Sequence, residues 1–373
     1  MKLWWLTVAL WGLCVAFGPT KASATLLFSG GEDGDFNCAV GGSCVVDTTT
    51  GRFRAGWARE AYQLEGLAAD PAKNRIVTPP FSASSTLWVH AQYCSVWLNT
   101  GSCVNDTTAS SQMIRIIDGA GNATLVVQGT GTAGEVKISS RSSSGTFTDL
   151  VTCPGTIGIT LQQVDLSINY GASGQVTLYN NSVQVCTYTG DVTNGDGATT
   201  LNQAEFSSAR ATNGGQLYTG EWSEVIIADT DTRAMSRFTA NTVADGNTVG
   251  FSGANVCSAI WNAKPFNDAN YGYSGSNNVV HECTVNGTIP AGAYNVLGLV
   301  MSARALVGTS GPLHFDFVTR VSGTDYTSAD FAPLPSFSNI MNYIQTTNPA
   351  TSSPWAVSDF AAVGFNVGEK TKP

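Results

Sequence analysis

Charge is scarce in this 373-residue chain, where Asp, Glu, Lys and Arg together make up only 12% of the residues. Histidine is scarcer still, with three residues in all. The 18 basic residues are outnumbered by 27 acidic ones, giving a net charge of −9. A nucleic-acid partner needs clustered Lys and Arg to neutralise phosphates, so this balance argues against that class and against binding to anionic lipid. Beyond residue 24 no apolar run approaches the roughly 20 residues that a membrane-spanning helix requires. There is no Gly-x-Ser-x-Gly elbow and no phosphate-cradling glycine loop. A Glu-x-Asp-x-x-Glu run, which would set carboxylates on one strand face, is missing too.

What is present begins with an export leader. Lys2 opens it, an uncharged stretch runs from Leu3 to Gly18, and Ala22-Ser23-Ala24 closes it with the small residues that precede cleavage before Thr25. Residues 1–24 are therefore expected to leave, taking Cys14 with them, and the working protein is expected outside the cell. The other eight cysteines fall at short spacings, and local pairing joins Cys38 to Cys44, Cys94 to Cys103, Cys153 to Cys186 and Cys257 to Cys283. Eight cysteines allow 105 connectivities, so this pairing is a choice based on locality. In an oxidising compartment each closed loop would stabilise its domain by about 2 to 4 kcal/mol.

The remaining length exceeds what one core usually serves, and a split around residues 233–245 leaves six cysteines on one side and two on the other, each an even number. Two domains follow, residues 25–235 and 236–373. Forty glycines and repeated polar turns separate short alternating runs. In Thr86 to Cys94, Leu87, Val89, Ala91 and Tyr93 alternate with Trp88, His90, Gln92 and Cys94, the two-residue period of a strand. Similar runs occupy Gln112–Ile117, Ala123–Gln128, Glu135–Ser140, Val164–Tyr170 and Gln175–Tyr179. Such spacing predicts an all-β sandwich or barrel. Short helices are expected only around Ala58–Leu67 and Asn339–Ile344. In the second domain, Tyr294–Ala305 and Leu313–Val321 read as a hairpin with Leu313, Phe315 and Phe317 on one face and His314, Asp316 and Arg320 on the other.

Residues that could carry chemistry are few. On a strand, odd separations point side chains to opposite faces, so neither Glu221 with Glu224 nor Glu60 with Glu65 can act as the carboxylate pair of a glycosidase. No catalytic residue is assigned, and a divergent polysaccharide hydrolase or lyase remains the least favoured reading. His90 and His281 neighbour cysteines expected to be oxidised, which removes those thiols as zinc ligands. Asp191 to Gly197 looks like the start of a calcium loop, but aligning it puts Val192 and Gln203 where carboxylates are needed. A weaker cation cluster is Glu32, Asp33 and Asp35. No cofactor is otherwise expected. Saccharide binding needs only aromatic rings beside Asn and Asp, and Trp261, Asn267, Asp268, Asn270, Tyr271 and Tyr273 supply that mixture within the loop closed by Cys257 and Cys283.

From Leu26-Leu27-Phe28-Ser29-Gly30-Gly31-Glu32-Asp33 to Trp222-Ser223-Glu224-Val225-Ile226-Ile227-Ala228-Asp229, the first domain resembles the laminin-G-like, concanavalin A-type lectin and glucanase jelly roll. The arrangement continuing through Gly311-Pro312-Leu313-His314-Phe315-Asp316-Phe317 to Asn348-Pro349, Trp355, Asp359 and Gly368 is similar to structural proteins of tailed bacteriophages and prophages. That resemblance implies a concanavalin A-like jelly-roll sandwich followed by a smaller β-sandwich. It also implies a structural or surface-binding protein of a virion or appendage, with self-association or cell-surface glycans as partners, or else a lectin-like glycan binder.

Overall fold

The computed structural model describes residues 7–9, 25–31, 35–38, 44–47, 52–55, 57–58, 60–65, 75–97, 102–103, 112–132, 134–155, 157, 160–208, 218–253, 256–260, 271–286, 289, 295–308, 311–335, 340–361 and 364–373. The chain divides into two units: Ser23–Glu32 with Cys38–Ala234, and Met235–Pro373 with Met1–Ala22 and Asp33–Asn37. In chain order the strands begin with β1 (Thr7–Ala9), β2 (Leu26–Gly30), β3 (Asn37–Cys38), β4 (Val45–Asp47), β5 (Ala61–Glu65) and β6 (Ile76–Val77). They continue as β7 (Thr86–Trp97), β8 (Ser102–Cys103), β9 (Gln112–Asp118), β10 (Ala123–Gly129), β11 (Val136–Arg141) and β12 (Phe147–Cys153). Next come β13 (Gln162–Asn169), β14 (Gly174–Asn180), β15 (Val183–Gly190), β16 (Leu201–Phe206) and β17 (Tyr218–Ala228). The second unit adds β18 (Thr239–Val249), β19 (Val280–Asn286), β20 (Leu299–Arg304), β21 (His314–Val321) and β22 (Thr324–Thr327). It ends with β23 (Ile340–Gln345), β24 (Thr347–Asn348), β25 (Ser353–Pro354) and β26 (Asn366–Lys372).

Two antiparallel sheets form the first unit. One runs β15-β14-β13-β7-β17-β5-β4, with β2 also paired to β17 and β8 to β7; the other runs β12-β11-β10-β9-β16-β6-β3. The chain passes repeatedly between them, with β7 in the first, β9 to β12 in the second, β13 to β15 in the first and β16 in the second, before β17 returns. These sheets pack face to face around Trp222 of β17, whose ring lies 4.4 Å from that of Tyr93 on β7 and 5.1 Å from that of Phe206 on β16. The indole Nε1 donates to the carbonyl of Ser207 at 2.7 Å, so the polar end of a fully buried ring is satisfied. Beside it the sheets come so close that a Cβ on Gly220 would sit 2.8 Å from the Cα of Ser208. At the far edge the Cys153–Cys186 disulfide ties β12 to β15 across the two layers. This is a two-layered antiparallel β-sandwich of the jelly-roll kind.

In the second unit one eight-stranded sheet, β22-β21-β26-β19-β18-β1-β20-β23, supplies both layers. Phe317 of β21 stacks on Tyr343 of β23 at 5.9 Å, and Thr319 Oγ1 donates to Gln345 Oε1 at 3.1 Å. Strands near opposite ends of the order thus meet, because a twisted sheet this wide curls until its apolar faces cover each other. All of its pairings are antiparallel except those of β1, which runs parallel between β18 and β20. Thr7–Ala9 fall inside the stretch expected to be an export leader, and the other leader residues lie outside the described ones.

The strand predictions from alternation all correspond to strands, and all four cysteine pairs are bonded as locality suggested. Three expectations fail. Ala58–Leu67 holds β5, not a helix, because β4 and β17 pair with Ala61–Glu65 on either side and override its helix-forming Ala, Gln, Glu and Leu. Asn339–Ile344 likewise holds most of β23, paired with β20. The expected hairpin does not exist, since β20 pairs with β23 and β1 while β21 pairs with β22 and β26. Phe315 and Phe317 are buried as expected, but Leu313 is 55% exposed. The helices among the described residues are a π-turn at Val256–Ile260 and one short turn at Val357–Phe360. None is long and apolar enough to cross a membrane.

Trp222→Ala should lower the stability of the first unit by about 3 to 5 kcal/mol, the cost of emptying a large aromatic site in a core, read as a shift of its urea midpoint. Replacing both Cys153 and Cys186 by Ser should cost about 3 to 4 kcal/mol by the loop-entropy relation for a separation of 33 residues.

Candidate functional site

The face of β17 opposite Trp222 is polar and buried. Positions that pair across a ladder lie on the same face, so Glu221 stands beside Gln63 on β5 and Cys94 on β7, and Ser223 stands beside Gln92. A bulge then intervenes before Ile226 meets His90, and His90 in turn meets Asp165 on β13. Glu221, Ser223, Gln92, His90 and Asp165 are all buried, so β7 is covered on both faces, not one.

Glu221 Oε1 accepts hydrogen bonds from Gln63 Nε2 at 3.0 Å and Thr219 Oγ1 at 3.1 Å, with Arg52 Nη1 at 3.4 Å. Its Oε2 has no partner. Burial pushes the carboxyl up to about 7, against the pull of the Gln63 bond and the Arg52 charge. Arg52 also pairs with Asp47. Glu224 occupies the bulge with φ of +52°, and Arg54 holds its carboxylate through Nε at 3.0 Å and through Nη2. The guanidinium of Arg54 lies 4.9 Å from the ring centre of Trp57. The bulge therefore breaks the simple alternation assumed for Glu221 and Glu224, but each ends on its own arginine, and they form no glycosidase pair. Along the same face, His90 Nδ1 meets Asp165 Oδ1 at 2.8 Å. Asp165 accepts two further bonds, from Thr232 Oγ1 at 2.8 Å and Gln163 Nε2 at 2.7 Å.

In the second unit the candidate saccharide loop is described only in part. Trp261, Asn267, Asp268 and Asn270 lie outside the described residues. Tyr271 and Tyr273 are 48% and 57% exposed, with their rings edge to face at 6.2 Å. Tyr273 is fixed by reciprocal backbone bonds with Ser252. The loop is closed by the Cys257–Cys283 disulfide.

Buried His281 brings its Nε2 to 3.3 Å from Cys257 Sγ, which gathers Cys257, His281 and Cys283 as metal ligands do. That set does not fit a metal. The sulfurs are bonded to each other, and Nδ1 of His281 accepts the Phe251 N–H, which leaves the ring proton on the Nε2 that would have to bind the ion.

Other expected groups are engaged in structural contacts. Asp35 is buried against Arg237 at 2.6 Å instead of standing in an exposed cation cluster, and Glu32 and Asp33 lie outside the described residues. Asp191 Oδ1 accepts from the Thr193 and Asn194 backbone, and Asp196 Oδ2 accepts from Tyr170 OH, which accounts for the turn once compared with a calcium loop. His314 faces Asp330 at 3.7 Å, while Asp316 faces Lys372 at 3.4 Å.

No family model matches the chain, and no curated protein does. Among solved structures, an endo-β-1,4-glucuronan lyase from the fungus Trichoderma reesei is 12% identical over 55% of this chain and 96% of its own, with a TM-score of 0.38. The binding domain of botulinum neurotoxin DC in complex with SialylT is 10% identical over 82% of this chain and 73% of its own, also at 0.38. The globular domain of T. cruzi calreticulin is 10% identical over 56% of this chain and 89% of its own, at 0.36. These scores are too low to carry an argument, and the sandwich assignment rests on the strand pairings above.

Since burial raises the Glu221 carboxyl from its ordinary 4.5 to about 7, the folded state holds a proton that the unfolded chain has already lost across that window. The stability this group contributes is present below about pH 4.5 and disappears as pH rises through 7. Glu221→Gln, which keeps the Gln63 and Thr219 contacts and cannot ionise, should flatten the decline. The check is the urea midpoint of parent and variant at pH 5 and pH 8, with the gap between them moving in the variant's favour at the higher pH.

Proposed function

We propose that the protein is a secreted surface-binding protein that holds saccharide on the tyrosine pair Tyr271 and Tyr273. The observation that carries this reading is their exposure: among the described residues, they are the aromatic members of the set of large apolar side chains left open to solvent. Water-exposed aromatic rings held in place by backbone bonds are poor packing and good contact surface. A pyranose offers a C–H face to a ring and hydroxyls to neighbouring polar groups, and the serines and asparagines around Ser274 to Asn278 supply such groups. The loop closure by Cys257 and Cys283 keeps the pair ordered before binding, which lowers the entropic cost of the contact.

Four disulfides suit an oxidising compartment. In the phage-like reading, this chain would be a virion or appendage component meeting glycans on a cell surface. A carboxylate-pair hydrolase is not favoured, because Glu221 and Glu224 are each held by a separate arginine.

Glycan-array binding by the exported protein should fall at least tenfold in Tyr271→Ala and in Tyr273→Ala while the melting temperature holds. A parent protein that binds no glycan, or variants that bind as the parent does, would overturn the proposal.

A further inference from the structure

In the sheet of the second unit, β18 and β20 are not paired with each other, because β1 lies between them and pairs with both. Thr7, Val8 and Ala9 stand opposite Thr239, Ala240 and Asn241 of β18, and Thr7 also stands opposite Val300 of β20. Neighbouring strands are about 4.8 Å apart, so the two flanking strands are held about 10 Å apart, the room that one inserted strand takes. Yet Thr7–Ala9 belong to the stretch expected to be cut away before Thr25 on export. Their removal leaves two unpaired edges facing each other inside one sheet.

Both of those edges are built as sheet interior. Thr239 and Ala240 are buried, and so is every residue from Leu299 to Ala303. Neither residues 239–242 nor residues 299–303 include a proline or a charged side chain, the devices by which natural edge strands avoid pairing. Buried backbone N–H and C=O groups left unmet are costly, and a strand laid between them meets both rows at once.

We infer that the slot between β18 and β20 is a strand-acceptor site, which in the exported protein takes an extended, uncharged segment of a different polypeptide running parallel to β18. The inference rests on the export reading and is independent of saccharide binding at the tyrosine pair. What occupies the slot here shows the chemistry that fits: Thr-Val-Ala is uncharged and rich in β-branched residues, and it pairs along its backbone on both sides. In this mode of recognition the main-chain bonds give affinity and the side chains give register. Asn241, the register partner of Ala9, keeps a buried Oδ1 with no hydrogen-bond partner. A hydroxyl or amide at that place in the incoming strand would satisfy it.

A second copy of this chain is a poor donor. It has lost the same leader, and among the described residues its strands are already paired within its own sheets. That includes Leu26–Gly30, the first strand after the cleavage point, which pairs with β17. The donor is therefore another protein with a free extended segment.

The test uses the exported protein made in a heterologous host, its start fixed by intact mass, and a fluorescent peptide of the sequence Leu6 to Trp11 read by anisotropy. Protein beginning at Thr25 should bind the peptide saturably, and methylating the peptide nitrogen at Val8, which removes a main-chain donor and leaves the side chains unchanged, should weaken binding at least tenfold. Protein that keeps residues 1–24 defeats the export reading and the open slot together. Protein that begins at Thr25 but takes no peptide, or takes the methylated peptide equally well, overturns the slot alone. Concentration-dependent assembly of that protein without peptide would make a second copy the donor and overturn the inference as stated.

Discussion

The first unit depends on the burial of Trp222. One indole closes the gap between two sheets, touching Tyr93 on its own sheet and Phe206 on the other, and it ties its only polar atom to the backbone at Ser207. Because Trp222 must face inward, its neighbours Glu221 and Ser223 must face the other way. The polar face is therefore a geometric consequence of the core contact. The bulge that follows lets β17 keep its apolar residues Val225, Ile226 and Ile227 buried while re-aiming the chain.

That second face is unusual for a sandwich strand, which ordinarily meets solvent on one side. Here ionisable groups are enclosed and arranged in sets: Arg52 between Asp47 and Glu221, Arg54 on Glu224, and Asp165 serving His90, Thr232 and Gln163. Arg233 covers the rim, lying 4.5 Å from the ring centre of Tyr179 and 5.5 Å from that of Trp88. Buried charges are costly unless paired, and the arginines supply that pairing here. In the second unit one curled sheet gathers Phe315, Phe317, Phe331 and Tyr343 into a single aromatic cluster, with Glu369 registered beside Phe317.

Much of the fold was legible in the residues. Alternation in Thr86–Cys94 and its counterparts located strands because side chains on a pleated backbone must alternate, whatever the strand pairs with. Cysteine pairing by locality worked because short disulfide loops join chain neighbours that turns bring together. The errors have a common physical source. Ala61–Glu65 became a strand because β4 and β17 offered it two ladders, and β20 and β21 failed to pair because other strands took those edges. Partner choice is a long-range property that local pattern does not carry. The buried polar face was illegible for the same reason: Glu221, His90 and Asp165 are remote in sequence and share a face only through registers on three strands.

By itself the sequence determined the composition of the surface, the period of its strands and the nearness of its cysteines, since each is set by residue type and local spacing. Only the tertiary structure decided which faces are covered, which acids meet arginines and which polar atoms are left without partners. Those outcomes depend on which strands lie side by side, and that is settled by burying the whole apolar surface at once.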